Sequence, residues 1–174
     1  MEGLLAKTAL LIILTLLPGL ELRLSIPVGI SEGSARLPLL GEVAGLGLPA
    51  WYVFLVAFFT NTLLAAALYA LLDTIVTKLL LPRWRWFARH YEREVRRAQR
   101  RVHDRVERWG WLGLALFIAV PLPGSGAYTG SLAAYGLGMS FRTFLLAATA
   151  GLLAAGLLVT LATIGATSLF QALF

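Results

Sequence analysis

The chain has no cysteine among its 174 residues. That excludes a disulfide framework and any thiolate metal site. Charge is also scarce: 14% of the residues are charged, against about 25% in ordinary soluble domains. Histidine occurs only at His90 and His103, both within the most basic part of the chain. Serine-type hydrolysis needs a base beside the nucleophile. Gly124-Ser125-Gly126 lies in an apolar stretch that contains neither histidine, and the two lysines, Lys7 and Lys78, lie no closer in sequence. No nucleotide-type phosphate loop and no metal-ligand spacing is present. The residues therefore predict neither an enzyme nor a bound cofactor or metal.

What the chain has in abundance is apolar. Hydrophobic residues make up 59% of it, which predicts one all-α integral membrane domain over residues 1–174. The net charge of +6 would suit nucleic acid, but ten of the fifteen basic residues fall between Arg83 and Arg108. Such a block beside apolar spans reports topology, with no nucleic-acid partner implied, and marks residues 83–108 as cytoplasmic. Tyr91, Val95, Ala98, Val102, Val106 and Trp109 recur at steps of three and four, so the block reads as an amphipathic helix. It suits a headgroup surface of anionic lipid, or a gate.

Lys7 precedes an apolar run of about ten residues that stops at Pro18-Gly19. A crossing helix needs about 20. The run reads as a half-helix ended by a proline–glycine break, rather than a cleaved signal. Glu21 and Arg23 follow, then Ile26-Pro27-Val28-Gly29. Ser25 reads as the cap of a second half-helix with Pro27 in its first turn. Ser31–Leu48 reads as a loop or surface segment. Pro49–Leu72 is the clearest full span, with Trp51 and Tyr52 at one interface and Thr60-Asn61-Thr62 at mid-length.

The second half repeats this order. An apolar run from Trp109 breaks at Pro121-Leu122-Pro123-Gly124-Ser125-Gly126, a small-residue stretch follows from Tyr128, and a final uncharged span carries Ala147, Gly151 and Ala155 four apart. Repeat one covers residues 4–81 and repeat two 109–172. Because the first full span ends in the Arg block, the two halves enter the membrane with opposite orientation. Two re-entrant hairpins with tips near the midplane match the inverted-repeat logic of transporters. The competing topology makes residues 4–30 and 109–139 full spans.

Two motifs carry a family resemblance over nearly the whole chain. Pro18-Gly19-Leu20-Glu21-Leu22-Arg23 with Ile26-Pro27-Val28-Gly29 is one. Pro121-Leu122-Pro123-Gly124-Ser125-Gly126-Ala127-Tyr128-Thr129-Gly130 is the other. Together they resemble the signatures of the putative small multidrug export protein family. That family resembles, more distantly, the DedA/VTT membrane proteins. The resemblance implies paired re-entrant hairpins, flipping of lipid carriers such as undecaprenyl phosphate, and a link to the proton-motive force. In DedA-like proteins the second hairpin carries arginines around its Pro-Gly. Here Ser125 and Tyr128 stand there, and the next arginine along the chain is Arg142.

These readings give a substrate and proton site of Glu21, Arg23, Pro27, Asn61, Pro121, Pro123, Gly124, Ser125, Gly126 and Tyr128. Glu21 and Arg23 are costly in a membrane unless paired or wet. Burial favours the neutral acid and a near guanidinium the carboxylate, so Glu21 can serve as a proton carrier; the bland alternative is an interfacial ion pair. Bare amides at the second break can hold an anion, or the glycines simply allow close packing. Asn61 belongs to the site or to a helix-packing hydrogen bond. The function expected is a multi-pass plasma-membrane transporter of a prokaryote, working as a homo-oligomer. Its cargo would be an amphipathic small molecule or a polyprenyl phosphate, driven by protons. The alternative from another class is a scaffold whose basic helix binds anionic lipid or a protein partner.

Overall fold

The computed structural model describes residues 2–37, 41–76, 109–121 and 125–173. The basic segment 83–108, together with Pro123 and Gly124, lies outside the described residues. Helix α1 covers Glu2–Leu16 and α2 Glu21–Ile30. Strands β1 (Ser34–Leu37) and β2 (Gly41–Ala44) follow, then α3 over Ala50–Thr74. The second half supplies α4 (Trp111–Ala119), α5 (Ala127–Gly136) and α6 (Phe141–Leu173).

Among the described residues, two helices are long and apolar enough to cross a membrane. They are α3, with a mean hydropathy of 2.0 over its best window, and α6 over Phe141–Ala166, with 2.2. Their outer faces carry exposed Phe59, Leu63, Leu146 and Leu161. Water disfavours so much exposed apolar surface and lipid does not. This is a membrane protein.

The first break folds the chain back on itself. Thr15 Oγ1 donates to Ser25 Oγ at 2.8 Å, although ten residues of straight helix would separate them by about 15 Å. One turn away from the bend, Leu11 faces Gly29, where an added Cβ would meet Leu11 Cδ1 at 3.1 Å. Four residues back along α1 match four residues forward along α2, so the two helices are antiparallel. The bend uses Gly19 at φ 82° and Glu21 at φ 44°. Glycine takes that left-handed conformation freely, and a glutamate pays about 1–2 kcal/mol for it. The second break also reverses the chain: a Cβ at Gly130 in α5 would meet Ile118 Cδ1 of α4 at 2.7 Å.

Small residues set the remaining packing. Gly151 lies so close to α4 that a Cβ there would meet Ala115 O at 2.6 Å and Ile118 Cβ at 2.8 Å. The stripe of Ala147, Gly151 and Ala155 is buried throughout, as its spacing predicts. The buried apolar residues come from every helix: Leu11, Ile26, Ala57, Ile118, Ala134 and Phe144 among them.

Two local expectations need correction. Ser25 is not a helix cap. Helix α2 starts at Glu21, so Ser25 lies mid-helix, fully buried, and accepts from Thr15. Pro27 accordingly sits inside α2, beyond the first turn, where it withholds an N–H from the Arg23 carbonyl. Within Ser31–Leu48, the expected loop contains a two-stranded antiparallel ribbon that sets Arg36 opposite Glu42. Backbone bonds then tie the ribbon's exit to α2: Leu46 N–H donates to Val28 O and Leu48 N–H to Gly29 O, both at 2.9 Å. Lys7 adds a bond to Leu46 O at 2.5 Å.

Candidate functional site

A helix that stops inside an apolar interior leaves unpaired N–H groups at its start and unpaired C=O groups at its end. Lipid cannot satisfy them. Here the two breaks satisfy each other. Glu21, 3% exposed, directs its carboxylate at the first amide of α5, and Ala127 N–H donates to Oε2 at 2.9 Å. The negative charge therefore sits on the positive end of the α5 dipole. Gly126 leaves room for it, since a Cβ at Gly126 would overlap the Glu21 carboxylate.

Arg23 serves the opposite pole. Its Nη2 reaches Ile118 O at 3.3 Å and Val120 O at 3.2 Å, the last carbonyls of α4. It also donates to the Ser125 carbonyl, and lies 2.9 Å from Ser125 Oγ. Ser125 Oγ in turn donates to Val120 O at 2.6 Å. A guanidinium at a helix C-terminus is the favourable arrangement, and its planar fork can serve several oxygens at once. Tyr128 returns the favour: its hydroxyl donates to Leu16 O, at the end of α1, at 2.6 Å. Hydrogen bonds to charged groups are worth about 1.5–3 kcal/mol each, so these cross-break contacts dominate the local energetics. The Glu21–Arg23 ion pair is looser, at 3.8 Å from Nη1 to Oε2.

The structure thus brings together Glu21, Arg23, Ser125, Gly126 and Tyr128. The arginine that the second tip lacks in its own sequence is supplied by the first tip. The anion expected at the bare amides of α5 is the Glu21 carboxylate. Pro27 and Pro121 lie a short way off, on the wall of a groove of about 600 Å³ that Leu158, Val159 and Ala162 complete. Asn61 is fully buried in α3, and neither its side-chain nitrogen nor its oxygen has a hydrogen-bond partner. Arg142 is exposed and stands apart. Sequence reasoning missed Thr15 and Ser25 as a pair; two lone hydroxyls in facing apolar helices were the available signal.

The family model described as putative small multi-drug export protein matches residues 21–158. The match begins on Glu21, directly after the first break, and takes in the second. The chain belongs to that family. Searches of the curated proteins and of the solved structures gave no match. Among small multi-drug export proteins, as the name says, the coarse role is export across a membrane, a transporter's role rather than an enzyme's. The reciprocal contact between the breaks is the feature of this member that lends itself to such a role.

Proposed function

We propose that the chain is a small multi-pass transporter of the prokaryotic plasma membrane, built as an inverted repeat of two re-entrant hairpins. The short helices support this reading. Helices α1, α2, α4 and α5 have 15, 10, 9 and 10 residues, or about 14–22 Å of length. A bilayer core is about 30 Å thick. Each pair would enter and leave by one face, with the Arg-rich segment 83–108 on the cytoplasmic side.

The proposed cargo is an amphipathic molecule, of which a polyprenyl phosphate is one kind. The groove walled by Pro27, Pro121, Leu158 and Val159 is almost wholly apolar and of a size that ordinary ligands fill. It adjoins the charged contact between the tips, since Pro27 lies one helical turn beyond Arg23. An apolar chain beside a polar tip suits a molecule with both characters. Two copies of the chain would form the working unit.

Proton coupling would act through Glu21. The observation that carries this is the bond from Ala127 N–H to the Glu21 carboxylate. As an anion, Glu21 draws α5 to the first hairpin. A proton on Glu21 removes the charge and weakens that attraction, so the tips can part. The test is flux in proteoliposomes under an imposed pH gradient, with a fluorescent polyprenyl phosphate and a cationic dye as cargo. Glu21→Gln should abolish gradient-driven flux while leaving helical content unchanged. Flux that follows the gradient equally in Glu21→Gln protein refutes the coupling. Loss of function only on removing charges from Arg93–Arg101 would favour the lipid-binding scaffold instead.

A further inference from the structure

The buried stripe of α3 consists of Val53, Ala57, Asn61, Ala65 and Tyr69, each four residues from the next. Asn61 is its polar member, at 0% exposure, and both Nδ2 and Oδ1 lack a hydrogen-bond partner. Two registers fix its height. Val53 meets Gly29 of α2, and Leu48, just before α3, bonds Gly29 O, so α3 leaves from the end where α2 stops. Asn61 is eight residues beyond Val53, and Glu21 eight before Gly29, about 12 Å in each case. On the other side, Ser131 Oγ of α5 lies 3.3 Å from Ala65 O, and Tyr69 donates to Met139 O. Helices α3 and α5 therefore run the same way. One turn back from Ala65 is Asn61, and one turn back from Ser131 is Ala127. Both registers set Asn61 level with the bond between Glu21 and Ala127.

Chemistry selects the occupant. A cation would engage Oδ1 and leave the amide N–H groups bare. An anion would do the reverse. Water donates and accepts, and so satisfies both. Arg23 Nε, two residues from Glu21, is a further buried donor without a partner. We propose that Asn61 is the α3 wall of a water-holding polar site at the level of the hairpin tips, lined also by Glu21 and Arg23. If Glu21 carries protons as proposed above, this water is the group that delivers them; the site itself stands without that reading.

The absence of cysteine makes the test clean. Asn61→Cys, Ala57→Cys and Ala65→Cys each give a full chain with one thiol, to be reconstituted in vesicles. A thiol reacts as its thiolate, which forms only where water reaches. Methanethiosulfonate ethylammonium should modify the thiol at position 61 at least about tenfold faster than those at 57 and 65. Equal rates at the three positions overturn the site. A second measurement does not depend on thiols. Leucine is close to asparagine in size and removes the orphaned groups, so in a dry interior Asn61→Leu should stabilise. A lowered thermal midpoint for Asn61→Leu supports a hydrated site, and a raised or unchanged midpoint overturns it. Neither measurement reads flux, so loss of coupling in Glu21→Gln and loss of this site are separate results.

Discussion

Gly126→Ala tests the contact between the tips most directly. Gly126 has φ −130° and ψ −155°, an extended conformation that alanine adopts freely. Its backbone therefore gives no reason for glycine. The reason is Glu21, whose carboxyl carbon and both oxygens would overlap a Cβ at this position. The carboxylate has little room to yield, because Glu21 is 3% exposed and held at φ 44°. Displacing it breaks a charge-assisted bond to Ala127 worth about 1.5–3 kcal/mol. The anion's interaction with the helix end describes the same contact and is not added. Overpacking contributes about 1–3 kcal/mol more. The expected loss is about 2.5–6 kcal/mol, read by circular dichroism as the SDS fraction rises in mixed micelles. Glu21→Ala removes the obstacle. In that background Gly126→Ala should cost no more than about 1 kcal/mol, the usual difference between the two residues at a helix start. The double-mutant cycle should therefore show a coupling of about 1.5–5 kcal/mol. If Gly126→Ala costs the same in both backgrounds, Gly126 is not making room for the carboxylate and the reasoning fails.

Three further substitutions probe neighbouring links. Arg23→Lys keeps the charge but gives up the planar guanidinium, whose Nη2 reaches Ile118, Val120 and Ser125 while Nη1 faces Glu21; the same unfolding assay should show a loss of about 1.5–3 kcal/mol, and an unchanged midpoint would deny the guanidinium its role. Gly151→Val drives side-chain atoms at the Ala115 carbonyl and should cost at least about 1–3 kcal/mol. Gly113→Ala, with nothing within 4 Å of the new atom, should instead gain about 0.5–1 kcal/mol; equal effects at these two glycines would refute the packing of α4 on α6. Tyr69→Phe removes the bond to the Met139 carbonyl while keeping the ring stack on Phe144 at 4.9 Å, and should cost about 1 kcal/mol in thermal unfolding.

Much of the scaffold was legible because it is written locally. An uncharged run from Pro49 to Leu72 can be little other than a span, and α3 covers Ala50–Thr74. Proline and glycine at 18–19 and 121–126 interrupt runs that would otherwise continue, and the helices do stop there. The start of α2 was harder, because Ser25 and Pro27 carry the usual signals of a helix start. The bend at Gly19–Glu21 overrode them by letting α2 begin five residues sooner. The ribbon at 34–37 and 41–44 was not legible for a different reason. Ser-Ala-Arg-Leu and Gly-Glu-Val-Ala include one β-branched residue between them, so strand propensity is weak. Its stability comes from pairing and from the bonds of Leu46 and Leu48 to the end of α2. Within the site, the residue types were visible and their partners were not. Arg23 and Ser125 are 102 positions apart, and nothing in either neighbourhood names the other. Glu21 and Arg23 stand two apart and invite a reading as each other's partner, yet each has its closer bonds in the second half of the chain.

That exchange of partners has a mechanical consequence. Separating the tips would uncover the Ala127 amide, the Ile118 and Leu16 carbonyls, the Glu21 carboxylate and the Arg23 guanidinium at once. No one of these can be released while the others stay satisfied, because the same two backbones carry them all. In an apolar interior each orphan costs several kcal/mol, so a half-parted state is worse than either a closed or a fully hydrated one. The contact is therefore built to be closed or open, with little between. Such a two-state element is what an alternating-access cycle needs. Under the proton coupling proposed above, Glu21 would be the group that acts on the whole arrangement, because its carboxylate meets the first amide of α5.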